Sequence, residues 1–300
     1  MDYSKHMKKL LTALFACSFA IGASAAITVR DDDGKDVTIR QPARRVIALA
    51  PHVAELLYAA GGAQHIIAAV DYADYPEQAK LLPRVGNNRQ IDLERVVALK
   101  PDLIVVWLHG SSERQVEQIR ALGIPMFHSE PKKLDDIAAS VSRLGKLMGT
   151  ETVADAAAAK IRADLAALRA NYAARPPVRL FYQVWDKPLY TLNGTHIVSD
   201  AVRLCGGENI FGKLKVTAPM VGVEAVLQED PEAIFSTADR SDDEGGVGIW
   251  RQFPNMTAVR RANLFRVDGN LLNRAGPRMI AGAASLCEKL ELARLHRKAP

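Results

Sequence analysis

The chain has 300 residues, a net charge of +5 and an aromatic content of only 6%. That length exceeds what one small core needs and suits two lobes of about 130 residues each. Lysines and arginines are interspersed with acids and form no basic stripe, so the composition argues against nucleic-acid binding.

The first elements in chain order are those of a secretory signal peptide. Two lysines precede an apolar run over residues 10–22, and small residues lead to a cleavage site before Ala26. The run is shorter than the roughly 20 residues that a membrane-spanning helix needs. We therefore predict export with removal of residues 1–25; lipid attachment at Cys17 is the alternative.

Strands and helices then alternate, which predicts a parallel sheet covered on both faces by helices. A hairpin turning at Gly34 comes first. Strands are predicted at 46–50, 66–70, 103–107 and 125–128, and helices at 52–60, 92–99, 112–122 and 134–148.

Residues 151–174 are predicted to form one long helix. Their alanine, leucine and arginine content favours helix, no turn residue occurs before Pro176, and the length gives a span of about 35 Å. We interpret it as a bridge between an N-terminal α/β lobe, 26–150, and a C-terminal α/β lobe, 175–300; an ordinary surface helix is the alternative.

The second half resumes the alternation. The glycines at 206–207 are interpreted as a helix C-cap. Strands are predicted at 178–185, 190–194 and 264–267, and helices at 197–205, 256–261 and 277–294.

A helix-turn-strand pattern occurs twice, as LERVVALKPDLIVV from residue 93 and VEAVLQEDPEAIFS from residue 223. In each copy an acid, Glu94 or Glu224, stands seven positions before a proline, and the offset is 224 − 94 = 130. An acid there stabilises a helix N-terminus through its dipole by about 0.3 to 1 kcal/mol.

Two cysteines, Cys205 and Cys287, remain after signal cleavage. An even count in an exported chain predicts one disulfide, which would stabilise the fold by about 4 to 5 kcal/mol in the chain-entropy model. Neither they nor the histidines fall at zinc-site spacings, so no metal site is predicted.

No catalytic motif is found, whether a G-x-S-x-G elbow, a P-loop or a G-x-G-x-x-G after a strand. A cleft between two lobes is a common ligand site, so a binding protein is predicted. An exported enzyme is the alternative, and it would show turnover that depends on a cleft carboxylate.

Several segments, in order, resemble one known family: RRVIALAPHVAELLYAAGG, DYADYP, IDLERVVALKPDLIVVW, ERQVEQIRALGIP, CGGENIF and NRAGPR. They are similar to the vitamin B12 receptors among the helical-backbone (class III) ABC-transporter substrate-binding proteins, a family that also carries haem and ferric siderophores. The resemblance implies two Rossmann-like lobes bridged by one long helix. It also implies a periplasmic monomer without a cofactor, which delivers a corrinoid (vitamin B12) to an ABC permease dimer in the inner membrane.

Residue roles follow from the same resemblance. Glu94 and Glu224 would meet arginines of the two permease subunits, and a two-fold pair of acids suits a two-fold partner. Ligand contacts are expected at the cleft, although three positions that are aromatic in vitamin B12 receptors are Asn88, Val184 and Ala218 here. The predicted ligand-binding residues are Tyr72, Trp107, Tyr190, Arg274, Asn88 and His52.

Flat aromatic faces supply much of the contact to a macrocycle. Because three of these rings are missing here, other ligands are alternatives. Trp185 could replace the ring missing at Val184, but neighbours in a strand point to opposite faces. Haem is an alternative ligand, with His52, Tyr72 or His109 as the axial group. A ferric siderophore is another, and it would need converging charges. The arginines available for it are Arg89, Arg274 and Arg278.

Overall fold

The computed structural model describes residues 26–107, 109–110, 112–237 and 246–297. The predicted signal peptide, its cleavage site and Cys17 lie outside these ranges. Within them, no helix has both the length and the apolar character required to cross a membrane.

The N-terminal lobe is a parallel sheet covered by helices. Its strands are β1 (Ile27–Arg30), β2 (Asp36–Ile39), β3 (Val46–Ala48), β4 (Ile66–Ala69), β5 (Leu103–Trp107) and β6 (Met126–Ser129). Its helices are α1 (Pro51–Ala59), α2 (Leu93–Ala98), α3 (Glu113–Arg120) and α4 (Leu134–Met148). The main sheet has the order β4-β3-β5-β6, and β1 and β2 form the predicted hairpin, with Gly34 at φ 77°.

One long helix, α5 (Glu151–Tyr172), joins the lobes. Its buried residues are spaced four, three and four apart, so a single face packs against the rest of the protein. They are Ala154, Ala158, Ile161 and Leu165. Gly145 of α4 permits the close approach, because a Cβ there would lie 2.1 Å from the Cβ of Ala154.

The C-terminal lobe has the same architecture as the N-terminal lobe. Its strands are β7 (Val178–Gln183), β8 (Trp185–Asp186), β9 (Leu189–Tyr190), β10 (Gly207–Asn209), β11 (Ala233–Ser236) and β12 (Leu264–Arg266). Its helices are α6 (Ile197–Leu204), α7 (Val223–Glu229), α8 (Thr257–Arg260), α9 (Gly269–Leu272) and α10 (Met279–His296). The main sheet is parallel, with the order β10-β7-β11-β12.

The two sheets are equivalent strand for strand. In each, the third strand of the order follows a short helix: α2 precedes β5, and α7 precedes β11. Leu103 begins β5 and Ala233 begins β11, and 233 − 103 = 130, the offset of the sequence repeat. Glu94 and Glu224 therefore occupy equivalent places in the two lobes.

Three element predictions in the C-terminal lobe were wrong. Of the strand predicted over 190–194, only Tyr190 is in a strand, at the end of β9. The strand predicted over 178–185 stops at Gln183, because Val184 donates its N–H to the Tyr190 carbonyl (2.9 Å) and the chain enters the β8–β9 hairpin. Gly207 is no part of a helix cap: it begins β10 and pairs with Val178. Only Gly206, at φ 71°, ends the preceding helix as expected.

A single hydrophobic cluster extends through both lobes. Val105 of the first sheet, Leu165 of the bridge and Phe235 of the second sheet all belong to it. Cys205 and Cys287 form the predicted disulfide, with a Cα–Cα distance of 4.8 Å, and it joins the end of α6 to α10. The lobes are therefore linked by shared packing as well as by the bridge.

Candidate functional site

The carboxyl ends of the two sheets face each other, and the region between them is named the cleft. Asp74 lies in the loop after β4, Arg274 lies in the loop after β12 and α9, and the two side chains form an ion pair between the lobes. The loop of Arg274 is held by Asn273, which accepts a hydrogen bond from the Tyr182 hydroxyl (3.2 Å). Ligands of open α/β sheets bind at this edge of the strands.

A cluster of charges joins the two lobes beside this ion pair. Glu55 of α1 accepts two hydrogen bonds from the guanidinium of Arg278, at 2.6 and 3.0 Å, and its carboxylate lies 3.7 Å from Arg274. Arg278 also lies over the ring of Tyr75, 4.0 Å from its centroid. The hydrogen bonds from Arg274 lower the pKa of Asp74, and those from Arg278 to Glu55 raise the pKa of Arg278.

Trp107, the last residue of β5, and His52, in the first turn of α1, lie together. Their rings meet edge to face, with centroids 5.6 Å apart. Gly110 folds back onto the indole, since a Cβ there would lie 1.7 Å from Cε3 of Trp107. Burial lowers the pKa of His52 to about 4, and the nearby charge of Arg274 acts in the same direction. His52 is therefore a neutral imidazole beneath Trp107, and its Nε2 has no hydrogen-bond partner among the described residues.

Tyr72 and Asn88 lie on two adjoining loops of the N-terminal lobe. Tyr72 has φ 63° and is 77% exposed. The Asn87 side chain donates to the Asp71 carboxylate (3.3 Å), which ties the exposed turn containing Asn88 to the loop of Tyr72. The structure thus brings the two loops together, and the loop of Tyr72 also supplies Asp74.

Tyr190 lies on the opposite lobe. It is half-buried and pairs with Trp185 in the β8–β9 hairpin. Val184 packs against the large hydrophobic cluster, and Ala218 is exposed. His109, the other histidine considered as an axial ligand, is exposed and pairs with Glu130 at 3.1 Å.

Glu94 and Glu224 each lie in the first turn of a short helix, and both are exposed. Asp92 caps α2 by accepting a hydrogen bond from the Arg95 N–H (2.9 Å), so Glu94 is not the capping group. In α7 the capping position is Gly222. Within the described ranges, neither glutamate has an ion pair or a hydrogen bond, and both carboxylates are open to a partner.

Sequence reasoning missed the acids that hold the arginines, Glu55 and Asp74. The sequence carries a signal for the role of Glu55: it is a single acid within the apolar helix segment HVAELLYAA, and a buried carboxylate needs a cationic partner. No such signal marks Asp74, since its partner is 200 positions away. No group of acids, histidines and cysteines in the described chain could hold a metal ion.

The family model described as a periplasmic binding protein matches residues 46–271. A curated vitamin B12-binding protein of Vibrio cholerae is 38% identical over 253 residues, which covers 84% of this chain and 91% of that protein. A vitamin B12-binding protein of Yersinia pestis is 37% identical over 250 residues, covering 83% of this chain and 87% of that protein.

Solved structures agree with the fold. The crystal structure of the periplasmic vitamin B12 binding protein of Vibrio cholerae has a TM-score of 0.80 at 37% identity, covering 84% of this chain and 98% of that one. A periplasmic heme-binding protein of Roseiflexus sp. RS-1 has a TM-score of 0.72 at 21% identity, covering 83% of this chain and 99% of that one, and shows the fold alone. The predicted fold class, two α/β lobes bridged by one long helix, is confirmed.

Proposed function

The chain belongs to the periplasmic binding protein family, and from that premise we propose that it captures a corrinoid, vitamin B12 or a close analogue, between its lobes. It works in the periplasm as a monomer and delivers the ligand to an ABC importer. It needs no cofactor, and it performs no chemical step on the ligand.

One observation carries the corrinoid assignment: identity of 38% to a vitamin B12-binding relative extends over 84% of the chain. Such coverage includes residues from both lobes, and the ligand lies between the two. The cleft offers rings from each side, Tyr72 and Trp107 on one lobe and Tyr190 on the other. His52 contacts the Trp107 ring, and Asn88 is proposed as a further ligand contact from the loop tied to that of Tyr72.

Arg274 supplies the polar contact. Its guanidinium is held at the cleft by Asp74 and Glu55, so it is oriented before the ligand arrives. A guanidinium has donors in excess of what one carboxylate accepts, and the remaining N–H groups can donate to the side-chain amides of a corrinoid.

Delivery rests on Glu94 and Glu224. Their equivalent positions in the two lobes present two exposed acids to a permease dimer, whose two-fold symmetry repeats the same basic patch. The bridge and the shared core limit the movement of the lobes, so release depends on the permease separating them.

The proposal is tested by isothermal titration of the purified mature chain with cyanocobalamin, with haemin and a ferric siderophore titrated in parallel. We expect one-to-one binding of cyanocobalamin below about 1 μM, a free energy more favourable than about −8 kcal/mol. Binding of haemin or the siderophore without binding of cyanocobalamin would refute the corrinoid assignment and leave the family and fold intact.

A further inference from the structure

We infer that Trp185 is a ligand-contacting residue which, together with Tyr190, sets the preference of the cleft for a large flat macrocycle. The inference rests on the proposed function, because it names a contact to the corrinoid. It explains how the cleft can bind such a ligand although Val184 and Ala218 carry no rings.

Trp185 is the exposed member of the three tryptophans of the chain. Trp250 is fully buried and donates its indole N–H to Gln183 at 2.7 Å. Trp107 is half-buried against His52. Trp185 is 56% exposed. An indole is the largest apolar side chain, and an exposed one offers a face that a flat ligand can cover.

The hairpin places Trp185 on the same face as Tyr190. The two residues are direct partners across the antiparallel β8–β9 pair, and partners of this kind project their side chains to one side. On its other flank Tyr190 pairs with Met220, which is 66% exposed. The three side chains therefore form a continuous apolar row: Trp185, Tyr190, Met220.

The opposite face of the hairpin is used for packing. Val184 packs against the large hydrophobic cluster, and Leu189 is 6% exposed within the core of the C-terminal lobe. Because neighbours alternate along an extended chain, Val184 directs Trp185 outward. The ring absent at Val184 is thus present one residue later, on the face that Tyr190 occupies.

The indole of Trp185 is held in place by a hydrogen bond within its own hairpin. Its Nε1–H donates to the Lys187 carbonyl at 3.0 Å, so its polar atom is satisfied and its faces remain apolar. A ring fixed in this way loses little conformational freedom when a ligand stacks on it.

The row lies at the edge of the sheet where the cleft opens. Trp185 comes directly after β7, with only Val184 between them, and β7 ends at the same carboxyl edge as the strands that lead to Arg274. Trp185 therefore lies at the end of the sheet at which the proposed ligand binds, and a corrin ring supplies the flat surface that stacks on an indole.

The test compares Trp185→Ala and Trp185→Phe by isothermal titration with cyanocobalamin. The matched control is Leu295→Ala, since Leu295 is 59% exposed but lies on α10. We expect the alanine variant to bind about tenfold more weakly, the phenylalanine variant to lose about threefold or less, and the control to match the wild type.

Hydroxyl-radical footprinting of the wild-type protein provides a second readout that needs no variant to fold. Saturating cyanocobalamin should protect Trp185 and Met220 from oxidation and leave Leu295 unchanged. If the wild type binds cyanocobalamin but Trp185 stays reactive and Trp185→Ala binds equally well, the inference is wrong and the proposed function stands. If the wild type binds no cyanocobalamin, both are overturned.

Discussion

Glu55 is a carboxylate with 1% of its side chain exposed, and it faces two arginines of the other lobe. A charge buried to this extent is tolerated only when it is paired, and removing one partner leaves the other uncompensated. Asp74 holds Arg274 in the same cluster, but its side chain is 47% exposed. If the ion pairs are broken, water can solvate the carboxylate of Asp74 far more easily than that of Glu55.

We expect Glu55→Gln to lower the free energy of unfolding by about 2 to 3 kcal/mol, because Arg278 keeps its charge in a mostly buried position. Asp74→Asn should cost about 1 kcal/mol or less, as is usual for an exposed pair. Urea denaturation of both variants measures the difference. Equal losses would show that the burial of Glu55 does not determine the strength of the cluster.

The sequence predicted Arg274 at the cleft only through the family resemblance. Its partner Asp74 and the second arginine-binding acid, Glu55, come from the other lobe, and nothing in the local pattern relates them to residues 200 or more positions away. The sequence does not decide the direction of Trp185 for a related reason: it depends on pairing with Tyr190, which forms only after the chain turns at 187–188.

Helix α6 begins with an unusual capping residue. The Nδ1 atom of His196 accepts a hydrogen bond from the Val198 N–H at 3.2 Å. Burial lowers the pKa of His196 to about 4, from an ordinary value of 6.5. Because a protonated imidazole has no free lone pair, protonation would remove the cap.

Stability should therefore fall as the pH drops through the interval between these two values. The unfolded chain takes up a proton at His196 near pH 6.5, whereas the folded chain resists it until about pH 4, so the stabilisation is complete above the first value. At about pH 5 the loss from this one group is about 2 kcal/mol.

His196→Asn keeps a capping acceptor and cannot titrate. We expect its free energy of unfolding to fall by about 2 kcal/mol less than that of the wild type between about pH 7 and about pH 5. Denaturant titrations at the two pH values give the comparison, and similar stabilities near neutral pH serve as the control for an intact cap. An unchanged pH dependence would contradict the assignment.

Elements whose ends carry local markers were predicted closely. β5 follows Pro101, and α4 ends before Gly149, which has φ 67°; both were predicted with the bounds that the structure shows. β10 was missed because its three residues, Gly207–Asn209, have little strand preference and are held by pairing with β7. The division of the chain at residues 150 and 175 stays a prediction.

At the scale of the whole molecule, the lobes are held by links spread along the cleft. Besides the shared core, the Asp200 carboxylate of α6 accepts a hydrogen bond from the Leu134 N–H of α4 at 3.0 Å. Arg278 and Glu55 join the lobes at the charge cluster. A partner that separates the lobes must break all of these contacts, so it must bind tightly to each lobe.

Glu94 and Glu224 are the proposed contacts to that partner, one on each lobe. We expect Glu94→Ala and Glu224→Ala each to reduce ligand transport by the cognate ABC importer in lipid vesicles, and the double variant to reduce it further. Cyanocobalamin affinity should be unchanged, because neither acid is among the proposed ligand-binding residues. Transport by the wild type should also weaken at high salt, since the contacts join opposite charges at an exposed surface.

Glu113→Ala is the matched control for the docking variants. Glu113 is likewise an exposed acid in the first turn of a helix, α3, but it lies outside the repeated segment that begins at residue 93. If the acids served only their helix dipoles, all three substitutions would cost about 0.3 to 1 kcal/mol of stability and would change transport to the same extent. Normal transport by the double variant would therefore refute docking at these residues, whereas a defect shared with Glu113→Ala would point to a loss of helix stability. A defect confined to Glu94 and Glu224 requires a partner that contacts both lobes at equivalent positions, as a two-fold permease does.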